Sequence, residues 1–209
     1  MLKGFYINLD ERVDRMKHFE NLKVTYDFFK NIKRLSAIKN SNGAVGCGAS
    51  HIEALTKLLE CANNDSDEYF MVCEDDLCIL HNDNYNKFVK DFDNIKDKKW
   101  DIIVITPRGD KMPGIPPYHN FYRIRNNQTT TAYIIKKKFI PILISNFKEA
   151  VMGLMKGGNP NTYAIDQWWK QLQNQYIFCY YKDIYAGQLV GYSNIENKHI
   201  NYNERFLRQ

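Results

Sequence analysis

A chain of 209 residues, 44% hydrophobic and 25% charged, has the balance of a globular protein with one sizeable core, which excludes wholesale disorder and a low-complexity filament. Its net charge of +5 favours an anionic partner, and a nucleotide diphosphate satisfies that as well as a nucleic acid does. No apolar run approaches the roughly 20 residues of a membrane helix.

Residues 4–9 are apolar and aromatic and stop at Asp10, an acceptor suited to capping the helix expected over 11–19. Charge is met too early in this first segment for a secretory leader, so a cytoplasmic location is the expectation. Gly46-Cys47-Gly48-Ala49-Ser50 leads into a second helix with apolar residues at helical spacing through residue 59. Residues 69–73 form a short apolar strand closed by Glu74-Asp75-Asp76, a polar helix follows around 85–92, and residues 100–106 read as another buried strand. This alternation predicts an α/β fold with a parallel sheet, whose polar strand exits at residues 8–10 and 74–76 face one crevice. Residues 107–128, rich in Pro and Gly, are expected to be an irregular rim loop. A strand over 130–135, a helix over 139–150, a turn at 157–160 and two short strands over 176–181 and 184–190 complete a single continuous domain with a polar tail over 196–209.

Among the motifs, Glu74-Asp75-Asp76 is the sharpest. Carboxylates clustered at a strand end repel one another and lose solvation unless a cation compensates, and oxygen-only donors suit Mn²⁺ or Mg²⁺. The alternative is a polar loop capping the next element. Cys47 and His51, four apart, share a helix face as a nucleophile with its base, a ligand pair, or a buried thiol beside a hydrogen-bonded imidazole; the last is preferred, because no third member lies nearby in sequence. Gly46 and Gly48 could admit a phosphate to backbone amides at a helix start. Asp166, in an aromatic setting with Tyr163, Trp168 and Trp169, reads either as a general base of raised pKa or as a helix cap, and one of the two tryptophans is expected in the core. Lys136-Lys137-Lys138 is expected to be a solvated helix start rather than a nucleic-acid patch. The five cysteines lack the paired spacings of a zinc or redox site, so reduced thiols are expected, and the sequons at Asn64 and Asn127 are taken as exposed loops.

Several segments, in order, resemble glycosyltransferase family 25, which includes lipooligosaccharide galactosyltransferases and procollagen galactosyltransferases. They are Tyr6-Ile7-Asn8-Leu9-Asp10 with Arg12, Asp14 and Arg15; Gly46-Cys47 with Ser50-His51; Glu74-Asp75-Asp76; Thr130-Thr131-Ala132-Tyr133; Ile165-Asp166; and Gln188 followed by Ser193-Asn194-Ile195. The resemblance spans residues 4–195. It implies a single GT-A type, Rossmann-like domain with a mainly parallel central sheet. The implied activity is metal-dependent, inverting transfer of galactose or glucose from a UDP-sugar to a hydroxyl acceptor, on a glycan or on hydroxylysine of a collagen-like protein.

Carried over by position, Tyr6, Asn8, Asp10 and Arg15 lie by the nucleotide, and Ser50 and His51 form the neighbouring wall. Asp76 holds the metal, with Glu74 and Asp75 beside the ribose or donor sugar and Glu74 a second candidate ligand. Asp166 is the candidate base, Gln188 and Ser193 are near the diphosphate, and His199 is a candidate metal ligand from the tail. The chain departs from the family's pattern at Ala44, Lys136 and Asn194, which bears on the acceptor contacts and the donor sugar. The other reading is a non-catalytic nucleotide-sugar or glycan-binding module. No nucleic-acid motif is present.

Overall fold

The computed structural model describes residues 2–62, 68–112, 118–193 and 198–201. In chain order they form β1 (Lys3–Asn8), α1 (Val13–Thr25), β2 (Asn31–Ser36), α2 (Gly43–Ala62), β3 (Tyr69–Glu74), β4 (Leu77–Ile79), α3 (Asn82–Ile95), β5 (Ile102–Val104), β6 (Asp110–Met112), β7 (Phe121–Arg125), β8 (Ala132–Lys136), α4 (Ile140–Met155), α5 (Pro160–Tyr163), α6 (Ile165–Trp168), β9 (Phe178–Tyr181), β10 (Ala186–Gln188), β11 (Gly191–Ser193) and β12 (Lys198–Ile200).

The central sheet has eight strands in the order β2-β1-β3-β8-β5-β9-β7-β6. It is mainly parallel: six of the eight strands point one way, and β7 and β8 are reversed. The reversal of β8 interrupts the parallel alternation, because β8 lies antiparallel between β3 and β5 and separates two strands that would otherwise be neighbours.

β5 and β8 are buried along their whole length, as strands covered on both faces must be. Successive residues then serve opposite faces. Met71, Cys73, Ile103, Ala132 and Ile134 join one core with Phe19 and Leu22 of α1 and Phe88 and Phe92 of α3. Phe70, Val72, Ile102, Tyr133 and Ile135 join the other with Leu55 and Leu58 of α2 and Leu143 and Phe147 of α4. The result is a helix–sheet–helix sandwich.

Three expectations are corrected. Residues 107–128 are not a continuous irregular loop: β6 and β7 pair there as the antiparallel edge of the sheet, while residues 113–117 lie outside the described part. Short strands such as Asp-Lys-Met carry no periodic signal to find them by. The sequon residue Asn127 is fully buried rather than exposed; the sequon at Asn64 falls outside the described residues, as do the tail over 202–209 and Asn194.

Lys136 is not a solvated helix start. It ends β8 buried, with Nζ 4.6 Å from the Trp100 ring and 5.5 Å from the Tyr69 ring, and it donates a hydrogen bond to the carbonyl of Lys96. Burial pulls its ammonium below the ordinary lysine value. Lys136→Ala is therefore expected to lower stability by about 2 kcal/mol in urea unfolding, whereas the loss of a solvated lysine would change it by less than about 0.5 kcal/mol. Among the described residues no helix is long and apolar enough to cross a membrane.

Candidate active site

β1 and β3 are parallel neighbours, Ile7 lying opposite Glu74, so their carboxyl ends open side by side. A cleft of about 990 Å³ lies there, bounded by Leu9 and Arg12 after β1, the segment 37–42 with the first residues of α2, the acids at the end of β3, residues 128–131 before β8, and Asp166. This is the upper end of the range for small-molecule sites.

The acids after β3 are held from behind. Asn8 is buried and donates through Nδ2 to Asp75 Oδ2 at 2.7 Å and to the Arg12 carbonyl at 3.1 Å, and its Oδ1 accepts from Arg34 Nε at 2.9 Å. Arg15, from α1, places Nη1 3.1 Å from both Asp75 Oδ1 and Asp76 Oδ2. Gln188 Nε2 donates to Asp76 Oδ2 at 3.3 Å, and Leu189 donates its backbone N–H to the Asp76 carbonyl at 2.7 Å. Thr130 Oγ1 donates to Glu74 Oε1 at 3.4 Å.

These contacts do not balance the charge. Burial raises Asp76, and Glu74 and Asp75 raise it further against the pull of Arg15 and Gln188; burial also leaves Asp75 above the ordinary carboxylate value despite its bonds to Asn8 and Arg15. Burial lowers Arg15, but Asp76 and Asp75 outweigh that and leave its guanidinium more firmly protonated. The attraction is the same for both partners, so the upward shift of the acids comes from their burial and from their repulsion of one another and of Glu74. Asp76 Oδ1 is buried without a hydrogen-bond partner among the described residues. An oxygen-rich corner with residual negative charge and an unpartnered carboxylate oxygen fits a hard divalent cation.

A second carboxylate stands apart from this corner. Asp166 sits in the first turn of α6, and its closest side-chain partner here is Gln167 Nε2 at 3.5 Å. Burial, then the charge of Glu74, push Asp166 up to about 6, against Lys170 and Arg108. Asn127 fixes the surroundings: its Oδ1 accepts from the Arg108 N–H at 2.7 Å, its N–H donates to Gln173 Oε1 at 2.8 Å, and its carbonyl accepts from Trp169 Nε1 at 2.7 Å. Trp169 is the core tryptophan, while Trp168 stacks on Tyr163 with ring centroids 4.9 Å apart.

The structure gathers Arg15, Ser50, His51, Glu74, Asp75, Asp76, Asp166 and Gln188 around the cleft. Asn8 stands behind it as the support of Asp75. Tyr6 does not reach it: the ring is buried on the α1 face of β1, stacked on Phe19 at 4.0 Å, and its hydroxyl donates to Glu20. Alternation explains this, since Tyr6 and Ile7 must point to opposite faces. Asp10 stays on the exposed rim, bonded to Arg34 and Ser36. Ser50 works as a tie, accepting from the Ile38 N–H at 2.8 Å and donating to the Gly46 carbonyl at 2.7 Å. His199 is exposed on β12 and does not line the cleft, and of Ser193 the backbone pairing with Lys198 is described.

Gly46 and Gly48 do not start a helix, because Asn42 Oδ1 accepts from the Ala44 and Val45 N–H groups and α2 begins at Gly43. Their role is close packing. A Cβ on Gly46 would lie 2.7 Å from the Ile38 carbonyl, and one on Gly48 2.6 Å from Val151 of α4. Sequence reasoning missed Arg108, Lys39 and Gln128, cleft residues on irregular segments with no motif of their own.

No family model matches the chain, and no curated protein matches it. Among solved structures, a glycosyltransferase involved in glycosylation of the major capsid of PBCV-1 superposes with a TM-score of 0.55 at 14% identity, over 99% of this chain and 97% of that one. The chain has a glycosyltransferase-type fold. A197 from STIV matches over 96% of this chain and 93% of its own at a TM-score of 0.47 and 14% identity. An apo UDP-glucose pyrophosphorylase matches over 79% and 62% at 0.43 and 13% identity. Within this GT-A-like architecture the acidic corner occupies the strand ends where open α/β sheets gather ligands.

Proposed function

We propose that the protein is a metal-dependent, inverting glycosyltransferase related to family 25, which moves galactose or glucose from a UDP-sugar to a hydroxyl on a glycan or on hydroxylysine of a collagen-like protein. The observation that carries this reading is the under-compensated corner of Glu74 and the buried Asp75 and Asp76, opening on a cleft of about 990 Å³. The fold likeness to a capsid glycosyltransferase supports it.

In this reading Asp76 and Glu74 hold Mn²⁺ or Mg²⁺, which supplies positive charge for the diphosphate. Arg15 orients Asp75 and Asp76, and Asn8 fixes Asp75 from behind. Asp166 accepts the acceptor's hydroxyl proton as its oxygen bonds to the anomeric carbon and the bond from that carbon to the diphosphate oxygen breaks, the electron pair leaving with UDP. Tyr6 is left out of this reading because its ring packs on Phe19 away from the cleft, and His199 is given no role in it.

The test is a donor panel scored by thermal shift and UDP release with Mn²⁺ present. UDP-galactose or UDP-glucose is expected to raise the melting temperature and to be turned over, while GDP-mannose does neither. Stabilisation by a UDP-sugar with no turnover on any hydroxyl acceptor would support the binding-module reading, and no shift with any UDP-sugar would end the proposal.

A further inference from the structure

A second group of ligand-type side chains lies in the same cleft but differs in chemistry. Cys47 and His51, one helical turn apart on α2, meet Glu74 at the end of β3, and one ligand atom from each lies within 4.8 Å of the others. His51 is fully buried. Its Nδ1 lies 3.2 Å from the Tyr133 hydroxyl, while Nε2 has no hydrogen-bond partner among the described residues and stands 3.7 Å from Glu74 Oε1. An unpartnered imidazole nitrogen buried this deeply is costly unless something occupies the space in front of it.

One edge of the group has nearly the length found in a zinc site. Bond lengths of about 2.0–2.1 Å to nitrogen and oxygen give a tetrahedral edge of about 3.4 Å, near the 3.7 Å found between Nε2 and Oε1. A ligating histidine normally has its other ring nitrogen engaged by a hydrogen bond that sets its orientation, and Tyr133 provides that partner for Nδ1. The donor set of sulfur, nitrogen and oxygen selects a borderline ion such as Zn²⁺ or Co²⁺ over Mn²⁺ or Mg²⁺. All three residues line the cleft, so a fourth position opens to water or to an oxygen of a bound molecule.

We infer that Cys47, His51 and Glu74 form a binding site for Zn²⁺, separate in chemistry from the oxygen corner at Asp76 and sharing Glu74 with it. Binding exchanges the thiol proton of Cys47 for the metal: a sulfur–zinc bond forms and the proton leaves to solvent. Occupancy also neutralises Glu74, which otherwise adds its charge to both Asp76 and Asp166.

The metal-free full-length chain, with no nucleotide-sugar present, is titrated with Co²⁺ and followed by absorbance. One equivalent is expected to produce a thiolate-to-cobalt charge-transfer band that Zn²⁺ bleaches. The band should vanish in Cys47→Ser, persist in Cys61→Ser, which removes an exposed thiol, and persist in Asp76→Asn. On the wild type, Zn²⁺ should slow alkylation of Cys47 at least 10-fold, read by mass spectrometry. Absence of the band, its loss in Cys61→Ser, or equal alkylation of Cys47 with and without Zn²⁺ would overturn the inference. None of these outcomes depends on UDP-sugar turnover, so this site and the proposed transferase activity stand or fall separately.

Discussion

Asp76→Asn is expected to lower UDP release by about 10²–10³-fold, the effect of removing one group that organises charge stabilisation in a transferase site, and at the same time to raise the melting temperature of the metal-free protein at neutral pH. The two effects share one cause. Asp76 is buried beside Glu74 and Asp75, and its folded-state pKa lies above the ordinary 3.8. A carboxyl raised in the folded state binds its proton more tightly there than in the unfolded chain. Stability is therefore greatest below the ordinary value, falls as pH rises through the window between the two values, and is lowest above the folded value. Asp75 acts in the same direction, and Asp166, raised to about 6, adds to it. The metal-free wild type should lose stability between about pH 4 and 7, Mn²⁺ should restore it, and Asp76→Asn should flatten both responses while Gln188 retains an oxygen to bond. A wild type whose melting temperature rises steadily across that window, or an Asp76→Asn variant that turns over UDP-sugar at the wild-type rate, would remove the basis for assigning the metal to this corner.

Much of this arrangement was legible in the residues, and the exceptions have physical reasons. Runs such as Tyr-Phe-Met-Val-Cys followed by three acids show both a strand and a polar exit, because a strand buried on two faces must be continuously apolar while its end must meet the cleft. The pairing of β3 with β8 rather than β5 was not legible: strand direction depends on which partner fills the gap, and β5 and β8 have the same apolar character. Lys136 and Asn127 misled for the opposite reason. Each is a polar residue whose type suggests solvent, yet the aromatic rings of Tyr69 and Trp100 and the partners Gln173, Arg108 and Trp169 satisfy them in the interior. The approach of His51 and Cys47 to Glu74 needed the fold, since 22 residues of chain lie between His51 and Glu74 and the docking of α2 beside β3 brings them together.

Asp166→Asn should lower kcat by about 10²–10⁴-fold, the range for loss of a general base, with donor binding by thermal shift unchanged. The base must be ionised to take a proton, so kcat in the wild type should fall at acid pH along a limb at or below about 6, the folded value of Asp166 in the metal-free protein. The position of that limb is itself informative. Burial alone would hold Asp166 up in every variant, but the charge of Glu74 is the second contribution to its rise. Glu74→Gln should therefore lower the pH at which Asp166 titrates in the metal-free protein, followed by NMR, while also reducing the rate through the lost metal ligand, and Glu74→Asp, keeping the charge, should leave that titration near its original position. A titration that stays at the same pH in metal-free Glu74→Gln means Asp166 does not feel the corner. A limb that persists in Asp166→Asn means another group takes the proton. The combination of a shifted Asp166 titration in metal-free Glu74→Gln and no limb in Asp166→Asn would tie the base to the acidic corner through one electrostatic coupling, the one expected when two carboxylates share a partly desolvated cleft.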